Sequence, residues 1–122
     1  MPMRVEQDVR FEAAHFLPRV PAGHRCGRIH GHSYCVTVVV EGGLGADTGW
    51  VIDYADISAA VEPVVGALDH QLLNEIDGLD NPTSEVIAAW IWARLGPVLP
   101  GLVELRVAET FDSRCVYTGP GR

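Results

Sequence analysis

Lysine is absent from the sequence, and all nine basic side chains of its 122 residues are arginines. Sixteen acidic residues outnumber them, so the net charge is −7 and there is no basic tail. General binding to nucleic acid requires a concentration of positive charge. The composition therefore argues against a nucleic-acid partner. Arginine suits the recognition of phosphates and carboxylates, but a bias of the genome explains the missing lysines equally well.

Cysteine is also scarce, with Cys26, Cys35 and Cys115 forming an odd set without paired spacing. Such a set does not build a disulfide framework. We therefore expect free or metal-bound thiols in a reducing compartment, the cytoplasm. No apolar run approaches the ~20 residues of a membrane span. The N-terminal stretch alternates charges where a signal peptide would be apolar, so we expect neither a leader nor a membrane partner.

No internal repeat or low-complexity segment interrupts the chain. Hydrophobic residues make up 48% of it and charged residues 20%, which is typical of an ordinary globular protein. The length falls near the common domain size of ~100–150 residues. We therefore expect a single domain over residues 1–122.

The first predicted strand alternates between apolar and charged positions. Its odd positions include Val5, Val9, Phe11 and Ala13, and its even positions are Arg4, Glu6, Asp8, Arg10 and Glu12. A period of two predicts a strand with one buried face. Continuing the pattern places His15 on that buried face. After a loop over 17–29 with two prolines and two glycines, a second strand is predicted from His30 to Glu41.

Two helices are predicted in the middle of the chain. Asp53 suits the N-cap of the first, and its apolar residues fall on one helical face: Ile57, Val61, Val64, Val65 and Leu68. Pro63 lies inside this helix and predicts a kink or a break. The second helix begins at position 83 or 84 and ends at the Gly-Pro pair 96–97.

The last part of the sequence predicts a β-hairpin with its turn at Asp112–Ser113. One face of its first strand carries Val103, Leu105, Val107 and Phe111. The order of elements is then β-β-α-α-β-β. This order predicts the α+β class, with an antiparallel four-stranded sheet and two helices on one face.

Three histidines are candidate metal ligands. His30 and His32 are two residues apart on a strand, so their side chains project from the same face. If the first two strands pair antiparallel, His15 lies close to both. Three neutral imidazoles with an open fourth position are typical of a catalytic zinc site. The alternative is that the histidines end their strands at the surface without binding a metal.

Cys26, four residues before His30, has three interpretations that residue type alone leaves open. It is a fourth zinc ligand in a closed structural site, a buried free thiol, or a reactive thiolate beside the metal that Arg25 and Arg28 stabilise. Cys35 and Cys115 are assigned to packing.

Asp69, His70 and Glu109 are further candidates. An aspartate that orients a histidine is a known acid–base arrangement, although neighbours in a chain need not face each other. Glu109 shares the predicted buried face of its strand, where carboxylates are rare without a partner. Its partner is either an arginine in a structural ion pair or the guanidine-like edge of a bound heterocycle.

Six stretches of the sequence resemble the 6-pyruvoyltetrahydropterin synthase family, and most closely its bacterial 6-carboxytetrahydropterin synthase branch. They cover nearly the whole chain in the family's order. The stretches are "FEAAHFLP", "GHRCGRIHGHSY", "TGWVIDYADI", "LDHQLLN", "NPTSEVIAAWIW" and "VAETFDSRCVY". The short Cys-x-x-x-His-Gly-His spacing is similar to the carboxy-pterin branch, because the pyruvoyl-pterin branch typically has a longer gap.

The resemblance implies the tunnelling fold (T-fold), in which small β-β-α-α-β-β subunits form a ring-shaped barrel and two rings usually stack. A homo-oligomer is therefore expected, with a hexamer favoured and active sites at the subunit interfaces. The resemblance also implies Zn²⁺ as the cofactor, held by His15, His30 and His32.

The implied activity converts 7,8-dihydroneopterin triphosphate, a small-molecule pterin, into 6-carboxy-5,6,7,8-tetrahydropterin, acetaldehyde and triphosphate. This reaction lies on the route to 7-deazaguanine nucleosides such as queuosine. The family's pattern makes Cys26 the general base and Asp69 with His70 a coupled acid–base pair. Glu109 holds the pterin ring in the same pattern.

Three loop arginines, Arg19, Arg25 and Arg28, are candidates to receive the triphosphate against the negative charge of the chain. Two alternatives to the implied activity are also considered. One is a 6-pyruvoyltetrahydropterin synthase, which would use the same site without cleaving a carbon–carbon bond. The other is a zinc-stabilised binding subunit without catalysis.

Overall fold

The computed structural model describes residues 2–121. Its strands are β1 (Met3–His15), β2 (His30–Gly42), β3 (Gln71–Leu72), β4 (Leu102–Thr110) and β5 (Ser113–Tyr117), and its helices are α1 (Tyr54–Gly66) and α2 (Ser84–Leu95). Short 3₁₀ turns occupy Arg25–Gly27 and Leu73–Glu75. Within residues 2–121, no helix has both the length and the apolar character to cross a membrane.

The strands form one mixed sheet in the order β3-β1-β2-β4-β5. All neighbours are antiparallel except β1 and β3, which are parallel. The predicted α+β class is confirmed, but the predicted count of four strands is wrong because β3 adds a fifth. Only Gln71 and Leu72 form β3. Two residues are too few to show a period, so the sequence pattern could not reveal this strand.

The hydrophobic core lies between the sheet and the two helices. The odd positions of β1 and the even positions of β2 face it, with Phe11, Tyr34 and Val36 almost completely buried. Helix α1 packs on β1, and α2 packs on β4 and β5. Full burial of such side chains stabilises the fold by ~1.5–3 kcal/mol each. This face therefore fixes the register of β1 against β2.

Side-chain caps start both helices where the sequence predicted. Asp53 accepts a hydrogen bond from the backbone N–H of Ala55 at 2.9 Å, and Thr83 accepts one from Val86 at 3.1 Å. Pro63 does not break α1, which continues to Gly66. Pro63 lies on the exposed side of the helix, where water can satisfy the carbonyl that proline leaves without a partner.

The hairpin between β4 and β5 differs from the prediction. Its turn is one residue earlier, at 111–112, and Phe111 is 94% exposed and not on the buried face. The cause is a β-bulge in which Ala108 and Glu109 together oppose Arg114. One extra residue breaks the period of two, so sequence parity fails beyond it.

The other face of the sheet, here called the open face, carries polar pairs. Ser33 donates to Glu12 at 2.6 Å, and Thr37 donates to Asp8 at 2.7 Å. Cys35 belongs to this face, so its assignment to packing is wrong: parity identified its face, but that face is not the one that the helices cover. Cys115 does pack against the core.

Candidate functional site

Three histidines meet at one end of the sheet. His15 is the last residue of β1 and pairs directly with His30, the first residue of β2. His32 follows two residues later on the same face. The ring nitrogens that these residues offer as ligands all lie within 4.8 Å of one another. The structure therefore brings together the histidine cluster that strand parity predicted.

Backbone carbonyls orient two of the rings. His15 donates from Nδ1 to the carbonyl of Pro82 at 2.8 Å, and His30 donates from Nδ1 to the carbonyl of Arg28 at 2.7 Å. Because a carbonyl only accepts, Nδ1 carries the proton and Nε2 of the neutral ring keeps its lone pair. No sequence motif reports these contacts, since they depend on the conformations of two loops.

The histidine cluster fits a metal ion. Nε2 of His15 and Nε2 of His32 are buried without a hydrogen-bond partner in the described part of the chain. Leaving a buried polar atom unpaired costs ~1–3 kcal/mol. One cation between the rings would satisfy both atoms, and three imidazole nitrogens are a ligand set that zinc prefers.

Burial favours the neutral form of two of the rings, His15 and His32. Burial is the main cause that lowers the pKa of His15, and it outweighs the hydrogen bond to Pro82 and the negative charge of Glu109. Burial likewise lowers the pKa of His32 against the same charge. Neutral imidazole is the form that binds a metal.

Glu109 lies beside the cluster with its side chain 30% exposed. Its Oε2 is 3.6 Å from Nε2 of His32, and its Oε1 is 3.9 Å from Nε2 of His15. These distances are longer than a hydrogen bond, and both rings are neutral. No ion pair between Glu109 and an arginine occurs within residues 2–121. The structural ion pair considered from the sequence is thus not formed, and the carboxylate is available to a ligand.

Asp69 and His70 contact each other although they are adjacent in the chain. The backbone of His70 has a left-handed φ of 59°, and its Nδ1 lies 2.9 Å from Oδ2 of Asp69. Oδ1 of Asp69 accepts the backbone N–H of Glu12 at 2.9 Å. That N–H first, and then His70, lower the pKa of Asp69. The carboxylate therefore stays ionised and orients the histidine.

Cys26 lies in the loop that joins β1 to β2, where the two sides of the loop come together. Its carbonyl accepts the N–H of Leu17 at 2.8 Å, and its own N–H donates to Nδ1 of His24 at 3.1 Å. The thiol is free and half-buried. Its sulfur does not belong to the group of close ligand atoms that the histidines form. Within one chain, the closed structural site with Cys26 as the fourth ligand is therefore not built.

Two clefts meet at residues 31–33 of β2. N-terminal to Cys35, β2 has no partner in β4, and the space between these strands is a cleft of about 670 Å³ lined by His32 and Glu109. We call it the β2–β4 cleft. A second cleft of about 510 Å³, the β1–β3 cleft, is lined by His32 and His70. Cys26 lines neither cleft.

Comparison with known families settles the relationship of the chain. The family model described as 6-pyruvoyl tetrahydropterin synthase matches residues 4–120, almost the whole sequence. The chain belongs to the 6-pyruvoyl tetrahydropterin synthase family. The resemblance found in the six sequence stretches is thereby confirmed.

Individual members of the family show how similar the chain is to them. It is 41% identical to the 6-carboxy-5,6,7,8-tetrahydropterin synthase of Synechocystis, over 95% of this chain and 93% of that protein. It is 39% identical to the dihydroneopterin monophosphate aldolase of Pyrococcus furiosus, over 87% and 86%. The solved structure of Caenorhabditis elegans 6-pyruvoyl tetrahydropterin synthase has a TM-score of 0.89 at 24% identity, over 98% and 96%. This last likeness shows the fold alone.

Tyr34 lies beside the histidine cluster, although the sequence pattern indicated only that it belongs to the second strand. It is fully buried, stacks on Phe11 at 4.7 Å, and meets the rings of His15 and His32 edge-on at 5.9 and 5.4 Å. Its hydroxyl has no partner in the described residues. Burial, with the charge of Glu109, raises the pKa of Tyr34, so the hydroxyl remains a donor. Its shared parity with His32 was the available signal.

Proposed function

We propose that this chain is a 6-carboxy-5,6,7,8-tetrahydropterin synthase. It would convert 7,8-dihydroneopterin triphosphate and water into 6-carboxytetrahydropterin, acetaldehyde and triphosphate, with zinc, in 7-deazaguanine and queuosine biosynthesis. The observation that carries the proposal is the cluster of three histidines beside a carboxylate. It occurs in a chain 41% identical to a Synechocystis protein of that name.

The histidine cluster would hold the metal, and Glu109 would hold the substrate. His15, His30 and His32 would bind zinc through Nε2. When bound, zinc would supply Lewis-acid chemistry toward the hydroxyl groups of the substrate side chain. Glu109, beside the cluster, would accept two N–H bonds from the guanidine-like edge of the pterin. The pterin would thereby be oriented with its side chain toward the histidines.

Proton transfer would be the task of Cys26 and His70. The thiolate of Cys26 would take protons from the substrate side chain, and His70 would return them. Asp69, held by the backbone of Glu12, would keep the His70 ring in one orientation, as the aspartate of a catalytic triad does. A binding subunit without catalysis has no use for these three residues, which disfavours that alternative.

We also propose that a homo-oligomer, with a hexamer favoured, completes the active site between its subunits. In one chain, Cys26 lines neither cleft, and the side chain of His70 is 77% exposed. A neighbouring copy that contributes one of them would bring base and acid to the same substrate. The three free thiols suit a reducing cytoplasm as the location of the enzyme.

The second candidate, a 6-pyruvoyltetrahydropterin synthase, would use the same residues but leave the carbon–carbon bond intact. The short tether from Cys26 to His30 favours the carboxy-pterin activity, since it limits which substrate carbon the thiol reaches. Similarity to a protein named an aldolase supports the same choice, because an aldolase breaks a carbon–carbon bond.

The product distinguishes the two candidates. We expect one acetaldehyde released for each dihydroneopterin triphosphate consumed, because the proposed reaction removes two carbons of the side chain. Alcohol dehydrogenase with NADH would report the aldehyde, and mass analysis would identify the pterin. Release of triphosphate without acetaldehyde would assign the chain to the pyruvoyl-pterin activity.

A Glu109→Gln variant tests the role of the carboxylate. Glutamine keeps the shape but places an N–H donor where the pterin needs an acceptor. We expect the affinity for an unreactive pterin analogue to fall by ~10-fold or more, the usual scale for a charge-assisted hydrogen bond. Isothermal titration calorimetry measures the affinity, and the melting temperature serves as the control. Normal affinity with a lowered melting temperature would make Glu109 a structural residue.

A further inference from the structure

The β2–β4 cleft has an excess of positive charge in an otherwise acidic protein. Arg10, Arg106 and Arg114 line it, against a single lining carboxylate, Glu109, among residues 2–121. The chain as a whole has a net charge of −7. A concave surface in which one sign of charge predominates concentrates ligands of the opposite sign. The cleft is therefore suited to an anionic group.

Two of the three arginines are free to bind a ligand. Arg106 is engaged by Glu6 and Glu104, at 2.6 Å from each carboxylate. Within residues 2–121, the side chain of Arg10 forms no hydrogen bond or ion pair, and that of Arg114 donates only to the carbonyl of Phe111, at 3.3 Å. Arg10 and Arg114 thus keep most of their guanidinium donors unused.

Arg10 lies on the open face of β1, and Arg114 lies on β5 beside β4. Arg10 pairs across the strands with Cys35, which also lines the cleft. Arg114 lies opposite the β-bulge that contains Glu109. The cleft extends from these arginines to His32 and Glu109, and its volume of about 670 Å³ is that of a small-molecule site. One ligand can therefore reach both the carboxylate and the arginines.

We propose that Arg10 and Arg114 bind the triphosphate group of the substrate while Glu109 holds its pterin ring. The inference rests on the proposed function, because that function supplies a ligand with a pterin at one end and a triphosphate at the other. A guanidinium offers phosphate oxygens a planar fork of N–H donors. Neither arginine was singled out from the sequence. Their common location depends on the strand register and on the bulge.

The loop arginines predicted from the sequence are placed differently. Arg28 lines a separate cleft formed by the loop between β1 and β2. Neither Arg19 nor Arg25 lines that cleft, and none of the three lines the β2–β4 or β1–β3 cleft. Arg19 lines none of these clefts and makes no hydrogen-bond or ion-pair contact with the histidine cluster in residues 2–121, so it provides the control for the test.

The test compares the double variant Arg10→Gln/Arg114→Gln with the loop variant Arg19→Gln. Calorimetry of the zinc enzyme would use two probes, inorganic tripolyphosphate and an unphosphorylated, unreactive pterin, with zinc content checked after titration. For the first variant, we expect the tripolyphosphate affinity to fall ~10²-fold, as for the loss of two charge-assisted contacts, with pterin affinity unchanged. The KM for dihydroneopterin triphosphate should rise similarly. The loop variant should match the wild type.

Each other outcome has a defined meaning. If the loop variant loses tripolyphosphate binding and the cleft variant keeps it, or if both keep it, the inference is wrong. An active wild type with no affinity for tripolyphosphate overturns it too. If the wild type turns over no dihydroneopterin triphosphate yet binds tripolyphosphate through Arg10 and Arg114, the phosphate site stands and the proposed function fails.

Discussion

A His30→Ala variant is expected to be purified without zinc and without measurable turnover. His30 contributes one of three imidazoles, and its Nδ1 is committed to the carbonyl of Arg28, so that its ring has a single orientation. Loss of a residue that only orients a ligand lowers metal affinity by ~10–100-fold, and loss of the ligand itself should lower it further. Atomic absorption on the purified variant gives the metal content.

Melting temperatures provide an independent readout for His30. A metal that binds only the folded state raises the melting temperature of the wild type, so a chelator should lower it. The variant should melt at the same temperature with and without chelator. His24→Ala is the matched control for metal content, because His24 lies outside the cluster. One zinc per chain in the His30 variant would show that the ligand assignment is wrong.

A Cys26→Ser variant is expected to retain zinc and lose ~10²-fold or more in turnover, the usual scale for a general base. A serine hydroxyl remains protonated at neutral pH, so it cannot replace a thiolate that accepts a proton. The ligand atoms of the cluster do not include the sulfur of Cys26, which is the reason to expect that the metal stays.

Cys115→Ser is the control for the thiol. Burial first, and then the charge of Glu85, raise the pKa of Cys115, so it is a protonated thiol that packs against the core. Its replacement should leave zinc content and turnover near those of the wild type. If Cys26→Ser loses zinc, the closed site with Cys26 as a ligand is favoured. Full turnover in that variant would exclude Cys26 as the general base.

Strand parity predicted the histidine cluster because burial of one face of each strand imposes a period of two on the sequence. The even positions of β2 and the odd positions of β1 pack against the helices, and this fixes the register that pairs His15 with His30. The same reasoning failed where the period changes. The bulge at Ala108 and Glu109 moved the hairpin turn and left Phe111 exposed.

Other features had no signal in the linear pattern. The carbonyls of Pro82 and Arg28 that orient the histidines come from loops, whose conformations follow from tertiary packing. The separation of β2 from β4, which opens the β2–β4 cleft, depends on the end of their pairing at Cys35 and Ala108, with no partner in β4 for the residues of β2 before Cys35.

At His70, the left-handed backbone conformation makes the residue that suits catalysis differ from the residue that suits thermostability. A side chain with a Cβ costs about 1–2 kcal/mol in this conformation, and glycine would avoid that cost. Selection for heat resistance alone would therefore favour glycine there and remove the proposed acid. Directed evolution of a durable catalyst from this scaffold has to screen turnover together with stability.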